Sequence, residues 1–140
     1  MMRLTRRYRF CASHRLNSAD LTEDQNRELY GKCNNPHGHG HDYAVDITVA
    51  GTVDEETGLL LRLQDLDSLI GESILREFDH RNLNQDVAEF SGLVPTSENL
   101  ARVIENRLKE KWPSHFSAGS PVLEKVSLHE TKRNRFELRT

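Results

Sequence analysis

Apolar residues recur along this chain with two different periods. Leu4, Tyr8, Phe10, Ala12 and His14 occupy alternate positions within residues 2–14, the period of a half-buried strand. Arg6 alone interrupts that face. A second alternation through Tyr43, Val45, Ile47 and Val49 predicts a second strand. Over residues 65–78 the period lengthens: Leu66, Leu69, Ile70, Ile74 and Phe78 recur as on one face of a helix. Pro95-Thr96-Ser97-Glu98 opens a second helix, with Thr96 or Ser97 as its cap and Glu98 at its positive end. Leu100, Val103, Ile104 and Leu108 form its stripe, and Trp112 closes it before Pro113. Val122, Val126 and Leu128 share the face of a third strand, with Glu130 next in line; Asn134 turns the chain into a fourth, carrying Phe136 and Leu138. Residues 15–32 are polar without a clear period and read as a long loop, and Asn82-Leu83-Asn84 reads as a turn. The order is ββααββ, an α+β pattern.

Composition narrows the class. The 140 residues suit one domain, residues 1–140, with one core. A hydrophobic share of 36% against 29% charged residues argues against disorder. A net charge of -3 gives no footprint for nucleic acid or for a membrane surface, and no apolar run is long enough to span a bilayer. Arg3, Arg6, Arg7 and Arg9 have no apolar segment behind them, so they are not the start of a signal peptide. Two cysteines, Cys11 and Cys33, make no disulfide framework, and a reducing cytoplasm is the expected compartment.

The densest chemistry is Cys33-Asn34-Asn35-Pro36-His37-Gly38-His39-Gly40-His41, a thiol and three imidazoles in nine residues. Extended back from Tyr43, the odd face of the second strand reaches His41 and then His39. Residues two apart in a strand share a face, so two imidazoles project side by side at the strand mouth. His14 ends the apolar face of the first strand. If the two strands pair, His14, His39 and His41 meet, and three His with an open fourth position is the pattern of a catalytic zinc site. His37-Gly38-His39 has the same spacing as His39-Gly40-His41; continuity with the strand face favours the second pair and leaves His37 a neighbour. Taken singly, each of these His reads as a surface residue, Cys33 as a small buried hydrophobe, and Asp79-His80 as a helix C-terminus with a favourable cation.

Phe10-Cys11-Ala12-Ser13-His14-Arg15-Leu16, Leu29 to Pro36, Gly38-His39-Gly40-His41, Thr57-Gly58, Asp65-Leu66, Asp79 to Asn84, Thr96-Ser97-Glu98-Asn99 and Glu130-Thr131 follow one another in an order and spacing covering nearly the whole chain. In these motifs the sequence resembles the 6-pyruvoyl-tetrahydropterin synthase family, which includes the bacterial 6-carboxytetrahydropterin synthases. The resemblance implies a tunnelling fold. A four-stranded antiparallel sheet carries two helices on one side, three subunits close their sheets into a barrel, and two rings stack into a homohexamer with active sites between subunits. It implies zinc on His14, His39 and His41, a catalytic thiolate at Cys33 close to His80 and with a lowered pKa, an Asp79–His80 acid–base dyad, and a pterin anchor at Glu130. Thr96, Ser97 and Glu98 would join Glu130 in substrate binding. The implied activity is that of a lyase acting on 7,8-dihydroneopterin triphosphate, a small-molecule substrate that serves both tetrahydrobiopterin-type and queuosine-type biosynthesis.

Departures from the family pattern are Arg62, Asp67 and Phe78, which affect helix contacts. Five residues separate Cys33 from His39, as in the pyruvoyl-forming enzymes; the carboxy-forming ones have three, and three separate Cys33 from His37. A cupin-type metalloenzyme is excluded, because positions 44–46 hold no Glu and two helices intervene. A non-catalytic pterin binder would keep Glu130 but could dispense with Cys33. A structural zinc module would need a fourth protein ligand, which Cys33 could supply.

Overall fold

A computed structural model describes residues 1–140. Two long strands, β1 (Met2–His14) and β2 (His39–Gly51), pair antiparallel along their whole length. Between them lies helix α1 (Glu23–Tyr30), and after β2 come α2 (Leu63–Ile70) and α3 (Arg76–Phe78), joined by a π-helical turn over Gly71–Leu75. A two-residue strand β3 (Arg81–Asn82), the short α4 (Leu83–Asp86), the long α5 (Ser97–Lys111) and the hairpin strands β4 (Val122–His129) and β5 (Arg135–Arg139) complete the chain. The sheet order is β3-β1-β2-β4-β5.

The sheet therefore has five strands and is mixed, where the sequence predicts four antiparallel ones. The added strand β3 runs parallel to β1 and pairs only with Ala12 and Ser13, too short for any periodicity to reveal. Residues 15–32 also depart from the expected loop, because α1 lies within them. Thr22 and Gln25 form a reciprocal capping box at its start. Its one buried residue is Asn26, whose amide donates to the carbonyls of Ser18, Leu21 and Thr22. A helix docked by an amide instead of an apolar stripe leaves no 3.6-residue signal. The expected turn at residues 82–84 is the start of α4, where the Asn82 side chain caps the N–H groups of Asn84 and Gln85.

The predicted helix stripes are core. Leu66, Leu69, Ile70, Ile74 and Phe78 are fully buried, as are Leu100, Ile104 and Leu108, with Val103 close to it. They pack on the face of the sheet that carries Phe10, Ala12, Tyr43, Val45, Ile47, Val49, Val126 and Leu128. Val122 does not share that face, contrary to expectation: it is 44% exposed. The β2–β4 register shifts between Thr48 and Val49, so Leu123 opposes Val49 and Val122 opposes Ala50. A bulge inserts one residue and reverses the side-chain alternation beyond it. Arg6 keeps its place on the apolar side of β1 by pairing with Asp67 of α2 at 2.8 Å and 3.1 Å, while Tyr8 donates to the same carboxylate. The unusual Asp67 is thus the partner of the one charged residue on that face.

Phe78 closes the core between helix and sheet. Its ring meets Phe10 edge-on at 5.7 Å, and the Arg107 guanidinium lies 5.0 Å from its centroid, held there by two 2.7 Å bonds to Glu89. Phe78→Ala is expected to cost about 3–5 kcal/mol of stability, since it leaves a cavity under β1; urea denaturation followed by circular dichroism measures it.

Candidate metal centre and active site

The β1–β2 register sets His14 opposite His39 and Ala12 opposite His41. Directly opposed residues point to the same side of a sheet, so all three imidazoles converge on the helix-covered side, one step beyond the stacked Phe10–Tyr43 pair at 5.0 Å. Gly38 makes the approach possible. It has φ +73°, and a Cβ there would lie 2.8 Å from the His14 carbonyl oxygen, so both backbone conformation and space demand glycine.

The nitrogens are oriented as well as gathered. His14 is completely buried, and its Nδ1 donates to the Pro95 carbonyl at 2.9 Å, with the Tyr43 hydroxyl 3.3 Å away. A carbonyl only accepts, so the proton sits on Nδ1 and the Nε2 lone pair faces the cluster. That Nε2 lies 3.2 Å from His39 Nε2, which lies 2.8 Å from His41 Nε2. A tetrahedral ion with nitrogen ligands about 2.0–2.1 Å away spaces them about 3.3 Å apart, so these residues fit a first-row divalent metal. Burial pulls the pKa of His14 down to about 4, against the Pro95 hydrogen bond, with His41 and His39 lowering it further. Burial also lowers His41, against the pull of Glu130. Neutral imidazole is the form that ligates. His37 is exposed.

Two further groups flank the imidazoles. Glu130 lies just past the end of β4, with Oε1 3.6 Å from His41 Nε2, and it accepts a hydrogen bond from the buried Ser97 hydroxyl. Ser97 is thus the partner of Glu130 and not the helix cap; Thr96 caps α5 by accepting from the Asn99 N–H. Glu98 is exposed on the first turn of α5. On the other flank, the Cys33 sulfur and one nitrogen each of His14 and His39 lie within 4.8 Å of one another. Burial, and after it the charge of Glu130, push the Cys33 thiol above its ordinary pKa, the opposite of the expected direction. His80, whose positive charge was to lower it, makes no hydrogen bond to Cys33.

Asp79 and His80 sit instead at the outer edge of β1. Asp79 accepts the Cys11 N–H at 2.9 Å through Oδ1, and its Oδ2 is 3.7 Å from His80 Nε2. The His80 N–H donates to the Cys11 carbonyl at 2.6 Å. His80 has φ +59°, a left-handed conformation held by these contacts, and its side chain is 81% exposed. It shares with His41 the lining of a cavity of about 560 Å³ that includes Cys11, Asp42 and Arg81. Two orienting groups escaped the sequence reading. Tyr43 lies on the same alternation as His39 and His41, a usable signal; the Pro95 carbonyl is a backbone group and gives none.

The sheet carries its helices on one face and three imidazoles at the mouth of its longest strand pair, the arrangement of an enzyme site built on an α+β sheet. Residues 3–140 match the family model described as 6-pyruvoyl tetrahydropterin synthase, and the chain belongs to that family. It is 44% identical over 131 residues to the 6-pyruvoyl tetrahydrobiopterin synthase of Homo sapiens, covering 94% of this chain and 86% of that one. It is 44% identical over 133 residues to the protein of the same name in Drosophila melanogaster, covering 94% and 75%. The solved structure of Caenorhabditis elegans 6-pyruvoyl tetrahydropterin synthase superposes with a TM-score of 0.89 at 39% identity, covering 99% of this chain and 95% of that one.

His14→Ala, His39→Ala and His41→Ala are each expected to abolish stoichiometric metal binding, and His37→Ala to retain it. Metal analysis of the purified variants checks this; loss from His37→Ala with retention in His41→Ala would show that His37 and His39, not His39 and His41, are the pair.

Proposed function

We propose that the chain is a zinc-dependent lyase that converts 7,8-dihydroneopterin triphosphate to 6-pyruvoyl-tetrahydropterin with loss of triphosphate. The observation that carries this reading is the convergence of three Nε2 atoms between a thiol and a serine-held carboxylate, in a chain 44% identical to synthases of that name. His14, His39 and His41 would hold the zinc, which when bound supplies Lewis acidity toward the side-chain hydroxyls of the substrate. Cys33 takes a proton from the substrate side chain, and His80, steadied by Asp79, exchanges protons with it. Glu130, fixed by Ser97, accepts the N–H groups of the pterin ring, and Thr96 and Glu98 line the approach at the start of α5. The exposed edge position of His80 suits a site completed by a second copy.

Assembly follows the same logic. β1 is paired on its outer side only at Ala12 and Ser13, and β5 closes the other end of the sheet with no strand beyond it. Such edges invite pairing, which supports barrel closure by three subunits and a homohexamer of two rings. No helix is long and apolar enough to cross a membrane, in keeping with a cytoplasmic enzyme. The carboxy-forming alternative drew on the three-residue gap between Cys33 and His37; the exposure of His37 and the contact of His39 with His41 support the reading from the five-residue gap.

Incubation with dihydroneopterin triphosphate and mass identification of the product tests the reaction: 6-pyruvoyl-tetrahydropterin is expected, and 6-carboxytetrahydropterin would move the protein to the other branch. Cys33→Ala is expected to lower turnover by about 10²–10⁴-fold while pterin binding persists; unchanged turnover would favour a pterin binder or a different base. Glu130→Ala is expected to weaken pterin binding itself. Light scattering should report a hexamer, and mixing Cys33→Ala with His80→Ala subunits should restore activity; a fully active monomer would rule out shared sites.

A further inference from the structure

The face of the sheet turned away from the helices is charged, and its charges are not evenly paired. Directly opposed residues share a side of the sheet. One row across β1, β2, β4 and β5 is Arg7, Asp46, Ser127 and Glu137. It carries both signs and is closed by ion pairs. Arg7 meets Asp46 at 2.7 Å and 2.9 Å, His129 meets Asp46 at 3.2 Å, and Lys125 and Arg135 meet Glu137 at 3.5 Å and 3.2 Å. The next row on that face, one step nearer the imidazoles, is Arg9, Ala44, His129 and Arg135. It holds no carboxylate.

Arg9, Ala44 and His129 line a cavity of about 700 Å³, to which the loop after β4 adds Thr131 and Lys132. The carboxylates of that cavity are already engaged: Asp42 accepts the Cys11 thiol at 2.7 Å, and Glu130 accepts the Ser97 hydroxyl and lies 3.6 Å from His41. Its outer cations are not. Arg9 and Lys132 are exposed and form neither an ion pair nor a side-chain hydrogen bond within the chain. The Thr131 hydroxyl accepts the Arg133 N–H at 3.1 Å, which leaves its own proton to donate. Ala44 is buried and offers only a methyl group, so it forms a floor between longer side chains.

We propose that this cavity binds a phosphate chain, either inorganic triphosphate or the same group carried on a substrate, with Arg9 and Lys132 as its cations and Thr131 as a hydroxyl donor. The guanidinium fork of Arg9 matches phosphate oxygens two at a time, and the Lys132 ammonium acts as a point charge. The two cations are rooted on β1 and just past β4, with β2 between them. Adjacent strands lie about 4.8 Å apart, so the roots are about 10 Å apart. That separation suits an anion whose charge is spread along a chain. No bond forms or breaks; the attraction is between ions and weakens with salt. The site stands on side chains of this chain alone, whereas the identity of its occupant rests on the lyase reading above, in which triphosphate is released.

The test is isothermal titration of the full chain with inorganic triphosphate at low and at raised salt. Expected is saturable binding that weakens as salt rises. Arg9→Gln and Lys132→Gln should each lower the affinity about tenfold. Arg3→Gln removes a charge at the far end of the same strand and should leave the affinity unchanged. Should either glutamine variant fail to fold, protection of Lys132 from acetylation by triphosphate in the unaltered chain decides. A raised KM for 7,8-dihydroneopterin triphosphate in the two variants, with binding of 7,8-dihydroneopterin unaltered, would assign the site to the triphosphate of the substrate. An unaltered KM, with inhibition by triphosphate relieved, would assign it to the free anion. Absence of saturable binding would overturn the proposal. So would an equal loss in Arg3→Gln, the mark of diffuse attraction, and so would full affinity in Arg9→Gln and Lys132→Gln, which would mean that the anion is held elsewhere. Failure of the lyase reading shows separately, as absence of product, and leaves the titration to stand.

Discussion

The register of one strand pair governs this molecule. β1 and β2 run antiparallel for thirteen residues each, and their pairing sets His14 against His39, Ala12 against His41 and Phe10 against Tyr43. A slip of one residue would turn one strand's entire apolar set, its imidazoles included, toward the other face. The same pairing that buries Phe10, Tyr43, Val45 and Ile47 therefore brings the imidazole nitrogens of His14, His39 and His41 together. Hydrophobic burial and the gathering of the three imidazoles are enforced by a single constraint, and the interior supplies the rigidity that such a cluster needs.

The helices then finish the site. α5 brings Ser97 to Glu130, and the loop before it brings the Pro95 carbonyl to His14. The first contact fixes a carboxylate at the end of β4; the second fixes a tautomer, because the proton on Nδ1 leaves Nε2 free to ligate. Burial holds His14 and His41 below the ordinary imidazole range, which favours their neutral forms. A cluster of charged imidazoles at 2.8–3.2 Å would repel itself as well as any cation.

The Asp79–His80 pair follows a different rule. It is tied to the backbone of Cys11 and not to the imidazole cluster, and His80 adopts φ +59° at the exposed outer edge of the sheet. Strained non-glycine backbone at an edge is tolerated where contacts over-determine it, here the N–H and carbonyl of Cys11. His80 and His41 both line one cavity, and the His80 side chain stays 81% exposed.

Periodicity made β1, β2 and the stripes of α2–α3 and α5 legible, and alternation alone brought His39 and His41 onto the apolar side with Tyr43. Those features depend on side-chain chemistry repeated at a fixed interval, which a sequence displays directly. Where docking rests on a single amide, as for α1 and Asn26, or on two ladder positions, as for β3, no interval exists to be read. The bulge that turns Val122 outward leaves every residue type in place and changes only the count between partners. The pairing of Arg6 with Asp67, 61 positions apart, could not be anticipated from either residue. The same holds for the thiol of Cys33: the sequence placed it six positions before His39, but only the folded chain, by pinning Cys33 to Leu16 beyond His14, set the sulfur beside the two imidazoles. Sequence determined which side chains share a face, because that is a property of local backbone geometry. Tertiary structure decided which faces meet and which backbone groups hold them, because those contacts form between segments whose separation along the chain carries no periodic trace.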